Sequence, residues 1–150
     1  IYYMTKLVWI LLVLIAGSLL PIQAGLNARV GKEIQNPVWA SLFSFLVGLI
    51  VMIGYVLITN QKMNVAGVSN IPVTYWAAGV MGAFYVTVIV MAFPKIGAGL
   101  TFGLIIAGQL TVSLLLDHFK LLVQEQHSIN IYRAIGLLLI VSGVIILRKF

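Results

Sequence analysis

The 150-residue sequence is 62% hydrophobic and 8% charged, and nine basic residues outnumber three acidic ones. A soluble domain carries roughly 25% charged residues, so a chain of this composition would aggregate in water and is suited to lipid. The sequence has no cysteine, which excludes disulfides and thiolate metal sites. Its basic residues lie singly between apolar segments, which is typical of anchors at a membrane surface rather than of a nucleic-acid interface.

Long segments without formal charge divide the chain into five parts. A helix needs about 20 apolar residues to cross a bilayer. Four segments are long enough, and Arg133 and Arg148 can extend the fifth by reaching outward to the interface. We therefore predict an all-α integral membrane protein with a single transmembrane domain over residues 1–150. The five predicted helices lie near residues 5–28, 37–59, 71–93, 97–117 and 131–148.

The first segment carries a proline near its middle, Pro21. Proline has no N–H, so the carbonyl of Gly17 loses its helical partner, which predicts a break in the helix and a hinge at Gly17 and Pro21. Gln23 and Asn27 follow on one helix face, because they are four residues apart. Two interpretations stay open: a hinge with a polar cavity lining, or a plain proline kink with two amides near the interface.

Prolines and small residues mark the ends and faces of the next helices. Asn36-Pro37 and Ile71-Pro72 predict helix starts, and residues 93–97 predict a tight turn between the third and fourth helices. Small residues at a spacing of four let helices approach closely in lipid, and we interpret them as packing faces rather than as a site. They are Ala40, Ser44 and Gly48; Ala78 and Gly82; Gly79 and Ala83; and Gly99, Gly103 and Ala107.

Three polar side chains lie deep in the third and fourth segments: Tyr85, Gln109 and Ser113. Polar groups are costly in hydrocarbon and usually have a purpose there. Gln109 either binds substrate or makes an interhelical hydrogen bond, which is worth ~0.6 kcal/mol on average. Tyr85 is either a pocket residue or, as is commoner for an aromatic at helical spacing, a packing residue.

Asp117 and His118 close the fourth segment. A carboxylate at a helix C-terminus opposes the helix dipole and costs about 0.3–1 kcal/mol unless it is paired, so we expect His118 and Lys120 to pair with Asp117. Asp117 and His118 are candidates for proton coupling because both can titrate. The alternative is a pair of solvated interfacial residues. No hydrolase or nucleotide-binding motif appears, so we predict a protein that is not an enzyme and uses no metal or cofactor.

The charges give almost no orientation bias, because five helices place the termini on opposite sides and each side holds a similar number of basic residues. One side holds Lys6, Lys62, Lys120 and Arg133, and the other holds Arg29, Lys32, Lys95, Arg148 and Lys149. Since orientation normally follows such a bias, we predict insertion in both directions and an antiparallel homodimer. Two inverted copies would reproduce the inverted-repeat plan of many transporters. The alternative is a single orientation set by other features of the chain.

Three segments in order resemble the YdcZ-type family, a five-helix branch of the drug/metabolite transporter superfamily. Residues 17–31 (GSLLPIQAGLNARVG) resemble its first helix. Residues 94–98 (PKIGA) are similar to the turn before its fourth helix, and 107–110 (AGQL) with 116–119 (LDHF) resemble that helix. The resemblance covers nearly the whole chain.

The resemblance implies a multi-pass protein of the bacterial cytoplasmic (inner) membrane, in which two five-helix units form one ten-helix transporter. It implies that the first, third and fourth helices line the central cavity. The residues it assigns to that lining are Pro21, Gln23, Asn27, Tyr85, Gln109 and Ser113. The four-helix exporters of the superfamily exchange protons through a glutamate in their first helix, which this sequence lacks. Residues 1–3 precede Met4 and depart from the family pattern, so we expect them to be an extension before the start site.

These features together predict a secondary transporter of small organic solutes that works by alternating access across the antiparallel homodimer. A lining of amides and aromatics without a central charge suits neutral or weakly charged solutes. The predicted partners are a second copy of the chain, the lipid bilayer and a small-molecule substrate, with no nucleic acid. The alternatives are a dual-topology channel for a small ion and an accessory membrane subunit that transports nothing.

Overall fold

The computed structural model describes the backbone of residues 2–149 and the side chains of residues 6–149. All regular secondary structure in this described part is helical and it contains no strand, which confirms the predicted all-α class. Its elements are α1 (Tyr2–Glu33), α2 (Pro37–Ile58), α3 (Val65–Val68), a 3₁₀ turn (Val73–Trp76), α4 (Ala77–Ile96), α5 (Ala98–Phe119) and α6 (Ile131–Lys149). The prediction that residues 1–3 are an extension before the start site stays a prediction. Ile1 and the side chains of residues 2 and 3 lie outside the described part.

Five of these helices are long and apolar enough to cross a membrane, as predicted. Within the described chain, little of each is covered by other helices: 6% of the most apolar window is buried in four of the spans and 11% in the span Val73–Ile96. In water, so large an exposed apolar surface would cause the protein to aggregate. In a bilayer these faces are left to lipid or to further helices.

The first helix is longer than predicted and is not broken. α1 runs through Pro21 to Glu33, so the predicted break at this proline is wrong. The role of Gly17 and Pro21 as a hinge stays a prediction. The predicted end near residue 28 was placed where hydrophobicity falls, but nothing there stops a helix. The stop comes at Gln35, whose φ is 54°, immediately before the Asn36-Pro37 start of α2.

The start of α2 follows the sequence closely. The Asn36 side-chain oxygen accepts hydrogen bonds from the N–H groups of Val38 and Trp39, over 3.0 and 3.3 Å. These bonds satisfy two of the donors that a helix N-terminus leaves unpaired. Pro37 occupies the first helical position, where its missing N–H costs nothing.

The predicted tight turn over residues 93–97 is wrong, because α4 continues through Pro94 to Ile96. A proline in the last turn removes one helical hydrogen bond without ending the helix. The whole connection to α5 is Gly97, whose φ of 78° is readily adopted only by glycine. At its other end, α4 begins later than the predicted residue 71, after the 3₁₀ turn.

The chain forms two compact units, residues 1–95 and 96–150. In the first unit, α1 packs on α2 near Gly31. A Cβ atom on Gly31 would lie 3.2 Å from the Cα of Pro37 and 3.5 Å from the Cβ of Ala40, so a larger residue would push the two helices slightly apart. α1 also meets α4 where Gly25 faces the ring of Phe93, which lies 3.5 Å from the position of a Cβ. The prediction of a single transmembrane domain stays a prediction.

In the second unit, α5 packs on α6 across another glycine. A Cβ atom on Gly103 would lie 3.0 Å from Cγ2 of Val144, a side chain that is itself buried. Glycine therefore permits a separation that alanine would strain. Gly103 belongs to the predicted small-residue stripe on α5 and lies at the contact with α6.

Candidate functional site

An open cavity of about 440 Å³, most of whose lining residues are exposed, lies in the first unit between α1, α2 and α4. None of its lining side chains is ionisable, and two are polar. They are Gln23, Ser44, Phe45, Gly48, Leu49, Met52 and Val86. Apolar walls with a few polar groups are typical of small-molecule sites of this volume.

A hydrogen bond between two helices fixes the polar end of this cavity. Asn27 Nδ2 donates to Ser44 Oγ over 3.1 Å and so connects α1 to α2. Ser41 instead donates to the carbonyl of Pro37, over 3.1 Å, as helical serines often do. Among the described residues, Ser44 donates to no such carbonyl. Its hydroxyl hydrogen is therefore available to a molecule in the cavity.

Gln23 lies one turn before Asn27 on α1 and also lines the cavity. Its amide has no hydrogen-bond partner within the described part of the chain, so it offers both a donor and an acceptor. The structure thus brings together two predicted residues, Gln23 and Asn27, with Ser44, which was not predicted as a site residue. Together they supply uncharged hydrogen-bonding groups on an otherwise apolar wall.

Tyr85 lies on α4 beside the lining residue Val86. Its hydroxyl oxygen is buried and makes no hydrogen bond with the described residues. A buried polar group without a partner costs about 1–3 kcal/mol. Tyr85 does not line the cavity, and the described residues supply no hydrogen-bond partner for its buried hydroxyl.

Gln109 and Ser113 belong to the second unit, on α5. Both side chains are exposed, and neither makes a hydrogen bond within the described residues. The interhelical bond that the sequence allowed for Gln109 is therefore not made inside the described chain. The role of both residues in substrate binding stays a prediction.

The end of α5 carries a polar cluster whose groups are paired, which we call the 117–133 cluster. Its residues are Asp117, His118, Gln126, His127, Ile129 and Arg133. Nη1 of Arg133 donates to Oδ2 of Asp117 over 3.1 Å and to the carbonyl of His127 over 2.9 Å. The predicted pairing of Asp117 with His118 and Lys120 is wrong. The chain turns at Lys120, whose φ is 52°, and brings the first turn of α6 back to Asp117.

The same cluster holds the loop between α5 and α6. Nδ1 of His118 accepts from the N–H of Ile129 over 3.2 Å, and the carbonyl of His118 accepts from Nε2 of Gln126 over 2.7 Å. A ring nitrogen that accepts carries no hydrogen, so the neutral His118 ring has its hydrogen on Nε2. The polar groups of Asp117 and His118 thus have structural partners, and their role in proton coupling stays a prediction.

Sequence reasoning missed Ser44 because its spacing with Ala40 and Gly48 was interpreted as packing alone. In the structure the stripe changes along its length: Ala40 is buried against α1, Ser44 bonds Asn27, and Gly48 lines the cavity. The signal that could have identified Ser44 was a serine hydroxyl in a strongly apolar helix, since the preceding helix in the chain carries the asparagine Asn27. The resemblance implied a cavity lined by the first, third and fourth helices, whereas α2 supplies most of the lining described here.

Comparisons with known proteins agree with the helical plan. The family model described as "Putative inner membrane exporter, YdcZ" matches residues 8–146, which reach into all five long helices. The chain is also similar to "Inner membrane protein YdcZ" of Escherichia coli (strain K12), with 29% identity over 109 residues. That match covers 70% of this chain and 71% of the relative. No solved structure matches the chain.

Proposed function

We propose that this chain, which belongs to the YdcZ family of inner-membrane proteins, is a secondary transporter. It would move small organic solutes out of the cell by alternating access. The chain is a multi-pass protein of the inner membrane. Its family description indicates a transporter rather than an enzyme, and the proposed direction follows the word "exporter" in that description.

The observation that carries this proposal is the uncharged cavity between α1, α2 and α4. Gln23 and Ser44 supply hydrogen-bonding groups, Asn27 positions Ser44, and the rest of the wall is apolar. Such a lining favours neutral or weakly charged solutes, because a full charge would lose its hydration without gaining a counter-charge. We propose Tyr85, Gln109 and Ser113 as further substrate contacts during the transport cycle.

We further propose that two copies form an antiparallel homodimer. Five spanning helices place the termini on opposite sides, and the basic residues give almost no orientation bias. The exposed amide of Gln109 also favours a partner outside the single chain, since an unpaired amide in hydrocarbon is costly. Two inverted copies would give the symmetry on which alternating access is built.

Flux into liposomes tests the proposed function. A transporter gives slow, saturable uptake that exchanges with unlabelled solute across a panel of small organic compounds. A channel gives fast uncoupled current, and an accessory subunit gives neither flux nor binding. Either of the last two results from folded protein would overturn the proposal.

A substitution of Gln109 tests its proposed role separately. Gln109→Leu should preserve folding and abolish substrate binding, whereas Gln61→Leu, which removes an exposed amide from a loop, should leave binding unchanged. Unchanged binding in Gln109→Leu would make Gln109 an interhelical contact instead.

Orientation has its own test. A tag at the C-terminus should be accessible from both sides of the membrane in one population of molecules. If every molecule exposes the tag on the same side, the antiparallel dimer is excluded.

A further inference from the structure

The polar side chains of the cavity lie in one half of its length, and the other half is apolar. Since Gly31 faces Ala40 and Asn27 bonds Ser44, the next turn of α1 places Gln23 about level with Gly48. On α2, three of its lining residues share a face at a spacing of four: Ser44, Gly48 and Met52. Met52 comes eight positions after Ser44, which corresponds to about 12 Å along the helix axis. The wall therefore changes from a hydroxyl, through an open glycine, to a thioether.

Ser44 and Gln23, about one helical turn apart along the wall, can bind an uncharged group between them. Ser44 Oγ already accepts from Asn27, so its free capacity includes a donor hydrogen. Gln23 adds an amide with no described partner. Because no lining residue is ionisable, a bound carboxylate or ammonium would have no counter-charge at this depth.

Gly48 lies halfway along the wall, and the packing of the described helices does not require a glycine there. A Cβ atom at this position would meet nothing within 4 Å, in contrast to Gly31, where it would meet the backbone of Pro37 at 3.2 Å. A glycine in a helix interior is less favourable than an alanine. Since Gly48 lines the cavity and leaves open space at its Cβ position, we expect a side chain added there to narrow the cavity.

We propose that the cavity binds uncharged amphiphiles, each with one hydrogen-bonding end group at Ser44 and Gln23 and a straight apolar tail that runs past Gly48 toward Met52. Gly48 then determines the length of tail that fits. This inference rests on the proposed function, which it deepens by naming the substrate class. An acyl chain of a membrane lipid is the rival occupant, and the test separates the two.

The probes are straight-chain primary amides from acetamide to decanamide, added to the purified full-length protein in detergent. Their dissociation constants are derived from the ligand dependence of the thermal unfolding midpoint. In the wild type, each added methylene should tighten binding by about three- to four-fold until the cavity is full. In Gly48→Val this gain should stop at a shorter chain.

Gly54→Val is the matched control, because Gly54 lies on the same helix, has no atom within 4 Å of a built Cβ, and does not line the cavity. It should keep the length dependence of the wild type, which also corrects for partition of long amides into detergent. Ser44→Ala should weaken all amides by roughly ten-fold, the effect of one lost hydrogen bond. Ser44→Ala keeps the inference testable if Gly48→Val fails to fold.

Matched fatty acids and alkylamines complete the test, and we expect them to bind at least about ten-fold more weakly than the amide of equal length. Equal length dependence in Gly48→Val and the wild type would overturn the inference. Equal binding of the charged series would do the same. If no amide binds but lipids with longer acyl chains stabilise the wild type more than Gly48→Val, the occupant is a lipid chain.

The failure of this inference and that of the proposed function are distinguishable. Saturable uptake of other solutes without amide binding would keep the transporter and reject the amphiphile. Amide binding with the expected length limit, but no flux of any compound, would keep the site and reject transport.

Discussion

The two polar regions of the molecule differ in how completely their hydrogen bonds are made. In the 117–133 cluster, Arg133 bridges Asp117 and the loop, and both the ring and the carbonyl of His118 accept bonds. At the cavity, one bond joins Asn27 to Ser44 and the Gln23 amide has no described partner. The bonds of the cluster connect the end of α5 to the loop and to α6, which indicates a structural role. The Gln23 amide is exposed on the cavity wall and is available to a ligand.

Two glycines show the same difference in packing. A Cβ on Gly103 would press on Val144 at 3.0 Å, whereas one on Gly48 would meet nothing within 4 Å. The first glycine permits helix contact, and the second leaves space. Spacing of small residues alone does not distinguish the two uses, because both glycines belong to stripes with a period of four.

The largest expected effect follows from removing the central cation of the cluster. Arg133→Leu leaves Asp117 without its partner in a site where the two side chains are 31% and 23% exposed, and it also removes the bond to the carbonyl of His127. We expect a loss of about 1.5–3 kcal/mol in stability, the range for a hydrogen bond to a charged group. Thermal unfolding of the purified protein measures it.

Glu125→Gln is the control for that substitution. Glu125 lies 3.9 Å from His127, but its side chain is 85% exposed, so solvent screens the pair. Exposed pairs contribute little, and the unfolding midpoint should barely move. A loss in Glu125→Gln equal to that in Arg133→Leu would mean that general loop charge, rather than the cluster, stabilises this region.

The next effect in size concerns the tight glycine. Gly103→Ala should be less stable than Gly108→Ala by about 1 kcal/mol, because the added methyl group overpacks against Val144. Gly108 lies in the interior of the same helix and has open space at its Cβ, so both variants gain a similar helix propensity. Equal unfolding midpoints in the two variants would show that α6 accommodates the added methyl group with no loss of stability.

A smaller effect is expected at the loop. The chain has no cysteine, so a single Ser128→Cys reports on the loop through its rate of labelling by a maleimide. Adding His118→Ala removes the acceptor of the Ile129 N–H. Labelling should then be about five-fold faster, which corresponds to one hydrogen bond of about 1 kcal/mol.

His127→Ala is the matched control, because its backbone N–H and carbonyl, rather than its ring, make the bonds to Asp117 and Arg133. The labelling rate should stay close to that of Ser128→Cys alone. An equal increase in both histidine variants would indicate a general loss of loop structure, and no change in His118→Ala would show that the loop is held without that bond.

Hydrophobicity and proline signals were sufficient to predict the helical class and the five spans, because lipid requires long uncharged helices whatever their tertiary contacts. They failed at helix ends. α1 continued past residue 28 into charged residues, and α4 continued through Pro94, since neither loss of hydrophobicity nor one proline is sufficient to stop a helix.

The candidate site was predictable only in part. Gln23 and Asn27 were predicted because amides in an apolar helix are conspicuous. Gln23 lines the cavity, and Asn27 bonds the lining residue Ser44. Ser44 and Arg133 were not found, since their roles depend on which partner faces them after the chain turns back. Sequence spacing describes one helix at a time, and a bond between helices is set by packing.

The smallest expected effect tests the one bond that the cavity does make. In a double-mutant cycle, Asn27→Ala and Ser44→Ala should show a coupling of about 0.6 kcal/mol in stability, the average for a hydrogen bond between membrane helices. Substrate binding should respond differently. Ser44→Ala removes the contact with the ligand, whereas Asn27→Ala leaves the Ser44 hydroxyl in place but free to rotate toward the carbonyl of Ala40. Binding should therefore weaken more in Ser44→Ala. Equal losses of stability with no loss of binding in either variant would make this end of the cavity structural, like the 117–133 cluster.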